Sequence, residues 1–320
     1  MYTPGDSFHC LADRLFGDVW RCPSVWLKQS SLVATAFVMA SAEEPTPKKR
    51  KGFVFKPIQI PDRTVKTPMF HQLRHGPAPP LPAPPIVQAM FGSERAFMAI
   101  DIETHALVPN NVGGSWWRTG EFGVLTTASE VAISTLRVVQ VGWAIGEVTA
   151  NEPKVKVRLV LPEGFEIEAS ATAKHSITHA EAVSHGVALK SVLLELIEDL
   201  AETENLGGRL CSHHLGFDGG VLSEEMRRAG LDQVAIDWAR FVRKGLCTMN
   251  PDICQWIRQQ TGQADRPRNI PMRLADAVQA MVADPKSLLA KQHDAGCDAR
   301  AHWALACELW KRARSDANGA

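Results

Sequence analysis

Apolar positions along this chain follow two regimes. From about Ala96 onward they recur with regular spacing, whereas before that point Pro, Lys and Arg interrupt every apolar run. Phe97-Met98-Ala99-Ile100 is continuous and apolar, which predicts a short buried strand ending at Asp101. Residues 138–145 predict a second strand. Val155, Val157, Leu159 and Leu161 alternate with Lys154, Lys156 and Arg158, so a third strand should keep one wet face. Leu189, Val192, Leu193, Leu196 and Leu200 recur at helical spacing and predict an amphipathic helix. Residues 210–212 predict another short strand, and residues 217–228 a helix stopped by Gly230. Pro271 is placed to open a helix carrying Leu274, Val278 and Met281. Asp298 to about Arg314 predicts the last helix, with Leu305 and Leu309 on one side. Strands followed by alternating helix and strand argue for an α/β fold, a sheet with helices on its faces.

Organisation follows from the same contrast. Residues 1–94 read as a disordered tail, 95–315 as one folded domain and 316–320 as a short C-terminal tail. Within the tail, Pro47-Lys48-Lys49-Arg50-Lys51 is a compact basic run, of the kind that serves nuclear import or attracts phosphate. It makes a nuclear location one expectation, with the cytoplasm as the alternative. The Pro-rich stretch from Pro77 to Pro85 predicts polyproline II, a stiff linker that can also dock an SH3 or WW domain.

Composition narrows the function classes. In 320 residues, 45% are hydrophobic and formal net charge is zero, so no global basic field draws nucleic acid. Attraction to phosphate must then come from local patches or bound metal. The seven cysteines include no C-x-x-C pair and no zinc-like spacing, which favours reduced thiols in an intracellular protein. Cys297 reads as a small apolar filler. No apolar stretch is long enough to span a bilayer. Leu32 to Ala40 is apolar, but the preceding Asp6, Asp13 and Asp18 fit neither a signal nor a transit peptide, and Met39 offers an alternative start.

The chemistry lies in three acidic motifs far apart in sequence. In a strand, residues i and i+2 share a face, so Asp101 and Glu103 project together while Ile102 enters the core. Two adjacent buried carboxylates repel unless cations lie between them. Asp218 follows His213-His214 and Phe217 near a helix start, where a carboxylate can also act as a simple cap. His293 and Asp298 are five residues apart, a spacing that puts the histidine on a loop and the aspartate in the first turns of the last helix. Ala295, Gly296 and Ala299 are small and would let that helix approach the sheet closely. Four carboxylates and one imidazole are the set that two divalent cations and an activated water need for phosphodiester hydrolysis.

Taken in order, D-x-E on an apolar strand, H-x-x-x-F-D after a short strand and H-x-A-x-x-D opening the last helix resemble the DEDDh family of 3′→5′ exonucleases, the DnaQ and ribonuclease T group. Thr104 and Leu107 after the first motif, and His175-Ser176-Ile177-Thr178, add to the likeness, which covers roughly Ala96 to Arg314. The resemblance implies a ribonuclease H-like mixed central sheet flanked by helices, and two Mg²⁺ or Mn²⁺ ions. It implies that Asp101, Glu103 and Asp298 hold one ion, that Asp101 also holds the second, and that Asp218 supports the cluster through water. His293 would be the general base, Leu107 and Ile177 would pack on the terminal base, Thr104 would contact the 3′ end, and His213 would border the substrate. Nucleic acid is the implied partner.

The chain departs from the family pattern at His214 for Asn, at His105-Ala106 for Thr-Gly and at Ser176 for Gly. None of these removes a metal ligand. Between Val108 and Arg137, Trp116 and Trp117 would either stack bases or bury under an inserted loop. Arg227, Arg228, Arg266, Arg268 and Arg273 would form either a backbone-binding rim or a solvated face. A catalytically weak nucleic-acid-binding or adaptor protein on the same scaffold is the alternative from another class, and an endonuclease of related fold a third.

Overall fold

A computed structural model of the protein describes residues 81–108, 132–268 and 270–318. The basic run at 47–51, residues 77–80 and the tryptophans at 116 and 117 lie outside the described residues.

Among the described residues the centre is a five-stranded mixed sheet flanked by helices; the apolar patterning predicts the helix-flanked sheet, and the family resemblance implies its mixed pairing. Its strands are β1 (Ala96–Thr104), β2 (Val138–Glu147), β3 (Lys154–Leu159), β4 (Arg209–Ser212) and β5 (Leu246–Cys247), in the order β3-β2-β1-β4-β5. β1, β2 and β3 pair antiparallel, whereas β4 joins β1, and β5 joins β4, in parallel. The helices in chain order are α1 (Pro85–Gln88), α2 (Ala169–His175), α3 (His179–His185), α4 (Leu189–Asn205), α5 (Leu215–Arg228), α6 (Asp232–Lys244), α7 (Pro251–Gln260), α8 (Leu274–Met281), α9 (Pro285–Leu288) and α10 (Ala295–Asn318).

β1 continues to Thr104, three residues past the expected end at Asp101, because its pairing with β2 persists through Glu103 before the register shifts. Its alternation builds two cores. Phe97 and Ala99 join a cluster with α7, α8 and α10, while Met98, Ile100 and Ile102 join one with α4, α5 and α6. Asp101 and Glu103 continue the Phe97 and Ala99 row, so they project at the end of the face that α10 covers.

Other departures from the sequence expectations have local causes. The basic side of β3 is wet at Lys154 but partly covered at Lys156 and Arg158. α4 lays Glu195 and Asp199 over it, pairing Lys156 with Asp199 at 2.6 Å and Arg158 with Glu195 at 2.7 Å, and Asp199 also accepts from Trp143 Nε1 at 2.6 Å. Pro271 precedes α8 rather than opening it, since Arg273 is the residue before the first helical turn. The folded part reaches back before residue 95. Ala83, Val87 and Phe91 are buried in the core, and the Leu81 carbonyl accepts from Gln260 Nε2 at 2.9 Å, so the end of the Pro-rich stretch is held by its own chain. α6 and α7 are not among the helices expected from the sequence, although α6 carries Val234, Ala235, Trp238, Phe241 and Val242 at helical spacing, with Ala235 and Trp238 buried and the others packed against the core.

One close approach positions everything else. Gly142 on β2 pairs with Asp101, and a Cβ there would lie 2.1 Å from the Ala295 carbonyl oxygen. A Cβ on Gly296 would lie equally close, 2.1 Å, to Val157 on β3. The start of α10 therefore rests directly on the sheet beside the two β1 carboxylates, with Ala295 and Ala299 fully buried. Gly142→Ala should push α10 outward and lower unfolding free energy by about 1–3 kcal/mol. Denaturant unfolding checks this; an unchanged midpoint would mean that the helix shifts freely.

Candidate active site

Asp101 and Glu103 reach the site from β1, half-buried, with Ile102 turned into the opposite core. The third motif approaches from α10. His293 sits in the loop before the helix with a left-handed φ of 63°, which lets its backbone N–H turn back and donate to Asp298 Oδ2 at 2.8 Å. Asp294 Oδ1 accepts from Cys297 N at 3.0 Å, satisfying an amide of the first turn. Gln140 Oε1 on β2 accepts from Ala295 N at 2.8 Å and pins the helix start to the sheet. As a result Glu103, His293 and Asp298 each offer a ligand atom within 4.8 Å of the others.

Asp218 enters from α5 after β4. His214 takes the capping role that a carboxylate could fill here, its Nδ1 accepting from Phe217 N at 3.0 Å. This leaves the Asp218 side chain for the cluster, where its buried Oδ2 accepts from Ser212 Oγ. His214 thus has a visible local function.

The electrostatics show how closely these acids crowd. Burial pushes the Asp101 carboxyl well above the usual carboxylate range, and Asp218, Asp298, Glu103 and Asp294 push it further. Burial, then the charges of Asp298, Asp218 and Asp294, lifts Glu103 to about 8, with Lys174 pulling the other way. Asp218 is lifted to about 7 by burial and by Asp298, against the hydrogen bond from Ser212. Burial raises Asp298 as well, opposed by the His293 amide. A cluster of carboxylates that hold one another's pKa values up is the environment a divalent cation relieves. The oxygen-rich set, with one imidazole, suits a hard ion such as Mg²⁺ or Mn²⁺.

Three members escaped the sequence reading. Asp294 lies inside the third motif. Ser212 precedes the second. His302 lies one helical turn beyond Asp298, an i, i+4 relation that could have revealed it. Its Nδ1 faces the Ile100 carbonyl oxygen at 2.9 Å and so carries the proton, and burial holds its pKa down at about 3. Nε2 of this neutral ring stands 3.8 Å from Asp101 Oδ1, beyond hydrogen-bond range.

The residues expected to border a substrate are placed unevenly. Leu107 is 50% exposed beside the end of β1, where Thr104 Oγ1 donates to the Ala106 carbonyl at 2.9 Å. Ile177 is buried in a small cluster with Val139, Ile167 and Ala182. His213 is buried and does not join the carboxylates. Its Nδ1 lies 2.9 Å from Thr248 Oγ1 and its Nε2 2.7 Å from the Met272 carbonyl oxygen. Several arginines of the expected rim are engaged within the chain. Arg228 donates to the Leu136 carbonyl at 2.8 Å, Arg227 pairs with Glu224, and Arg268 pairs with Asp252.

No protein-family model matches the chain, and no curated protein matches it. Among solved structures it is similar to Escherichia coli exonuclease I in a zinc-bound complex with single-stranded DNA, at 16% identity and a TM-score of 0.47, over 71% of this chain and 43% of that one. It is likewise similar to exonuclease I of Methylocaldum szegediense, at 16% identity and a TM-score of 0.47, over 70% of this chain and 42% of that one. The chain thus spans less than half the length of these proteins.

The raised carboxylates give a signed pH dependence. Glu103 at about 8 and Asp218 at about 7 lie above their unfolded values near 4, so the folded state binds more protons than the unfolded state between those limits. His213 and His214 at about 4 act oppositely, but only below their unfolded value of about 6.5. In chelator, stability should therefore fall as pH rises from about 6.5 to about 8, and Mg²⁺ should raise Tm most at the upper end. Thermal melts with and without Mg²⁺ check this; a Tm that is flat over this window, or that Mg²⁺ leaves unmoved, contradicts it.

Proposed function

We propose that this protein is a metal-dependent 3′→5′ exonuclease that hydrolyses phosphodiester bonds at 3′ ends of nucleic acid, mainly single-stranded, and releases 5′-mononucleotides. The observation that carries the reading is the meeting of Glu103, His293 and Asp298 beside Asp101 and Asp218, from three distant stretches of chain on one end of the sheet.

Asp101, Glu103 and Asp298 would hold the divalent cations, with Asp218 supporting them through water. Held there, divalent ions would supply positive charge that offsets the carboxylates and the negative charge developing on the phosphate oxygens. His293 would take a proton from the attacking water as general base. As oxygen adds to phosphorus, the bond to the 3′ oxygen of the penultimate nucleotide breaks. The products are a 5′-mononucleotide and a strand one residue shorter with a free 3′-hydroxyl.

At the substrate side, Leu107, which is exposed, would pack on the terminal base, and the backbone near Thr104 would contact the 3′ hydroxyl. Ile177 would back the same wall from its buried position. His213 would act indirectly, holding the segment around Met272. A single-stranded end is favoured because the terminal base must leave its stack to reach the carboxylates.

The test is purified full-length protein with Mg²⁺, given single- and double-stranded DNA and RNA labelled at either terminus. We expect labelled mononucleotide from the 3′-labelled single strand, no cleavage of a circular strand, and no release in chelator. Asp101→Ala and Glu103→Ala should abolish release. His293→Ala should slow turnover by about 10²–10⁴-fold with little change in affinity. Undiminished digestion by either carboxylate variant would refute the assignment, and binding without hydrolysis on every substrate would favour an adaptor.

A further inference from the structure

α2 lies across the end of β1 and is tied to it at both of its own ends. Before its first turn, the Glu168 N–H donates to the His105 carbonyl at 2.8 Å. At its last residue, His175 Nε2 lies 3.2 Å from the carbonyl oxygen of Thr104, the residue preceding His105. The same ring accepts from the Ile177 N–H at Nδ1, 3.0 Å away. A backbone amide only donates and a carbonyl only accepts, so a single neutral tautomer, protonated at Nε2, satisfies both partners. His175 is 7% exposed, and burial lowers its pKa, which keeps that tautomer neutral.

The turn beyond α2 is fixed internally as well. Ser176 adopts a left-handed φ of 65°, its N–H donates to the Thr172 carbonyl at 2.8 Å, and Thr172 Oγ1 donates to the Ile177 carbonyl at 2.9 Å. The Ile177 turn is therefore a rigid unit whose direct tie to the residue after Glu103 runs through one imidazole.

We infer that His175 is a positioning residue for the 3′-terminal nucleotide, setting the spacing between the Thr104–Leu107 end of β1 and the Ile177 turn. The inference rests on the exonuclease reading above. A wall held in place before substrate arrives binds ground state and transition state alike, so its loss should raise KM and leave kcat nearly unchanged. Neither the side chain of Asn nor that of Gln reproduces both contacts. Asn can accept from Ile177 but is too short to reach Thr104; Gln can reach Thr104 but cannot also cap the turn.

The experiment compares wild type, His175→Asn and His175→Gln in the full-length chain. Readouts are kcat and KM on a 3′-hydroxyl single strand, affinity for that strand relative to one with a blocked 3′ end, and Tm. We expect His175→Asn to keep its Tm, to raise KM by about five- to tenfold at similar kcat, and to lose the preference for a free 3′ end by a similar factor. His175→Gln should recover most of the KM. A wild-type KM and 3′-end preference in His175→Asn, with wild type active, would overturn the positioning role alone. Equal losses of Tm and kcat in both variants would also overturn it, in favour of a purely structural role. An inactive wild type would overturn the exonuclease reading and this role with it.

Discussion

The arrangement depends on mutual repulsion among carboxylates that the fold forces together. β1 delivers two of them to one face, α5 a third, and the start of α10 two more, in a region where burial already penalises negative charge. Left alone, such a group answers by holding protons, which is why Glu103 rises to about 8 and Asp218 to about 7. A stability-optimised fold would avoid this concentration of acids. Its presence at the end of a central strand, with an imidazole on the adjoining loop, is what the proposed cation site rests on.

The scaffold serves that concentration through a few tight contacts. Gly142 and Gly296 remove the atoms that would hold α10 off the sheet, and Gln140 then fixes the helix start through the Ala295 amide. His214 caps α5, so Asp218 need not. His175 and Glu168 tie α2 to two consecutive carbonyls at the end of β1. Each contact places a backbone segment, and each lies within one or two residues of a group that the proposed chemistry uses.

Much of this was legible in the sequence because it follows local rules. Period-two alternation assigned Asp101 and Glu103 to one face and Ile102 to the other, and the small residues around Gly296 forecast the close approach of the last helix. What the sequence concealed depends on distant partners. The basic side of β3 reads as solvated until Glu195 and Asp199 arrive from α4. Residues 81–91 read as linker until Gln260 and the core claim them. His213 sits in a motif yet spends both ring nitrogens on Thr248 and Met272, contacts 35 and 59 residues away. Pattern gives direction along a single element; it cannot supply the other end of a long-range hydrogen bond.

The most direct measurement is calorimetric titration of Mn²⁺ into chelator-treated protein near pH 7, repeated in buffers of different ionisation enthalpy. Carboxylates held protonated by burial and by one another must release protons as a cation displaces them. Saturable binding should therefore be accompanied by proton release that shrinks as pH is raised above about 8. Absence of binding, or binding that releases no protons at neutral pH, would contradict the claim that these acids form a cation site.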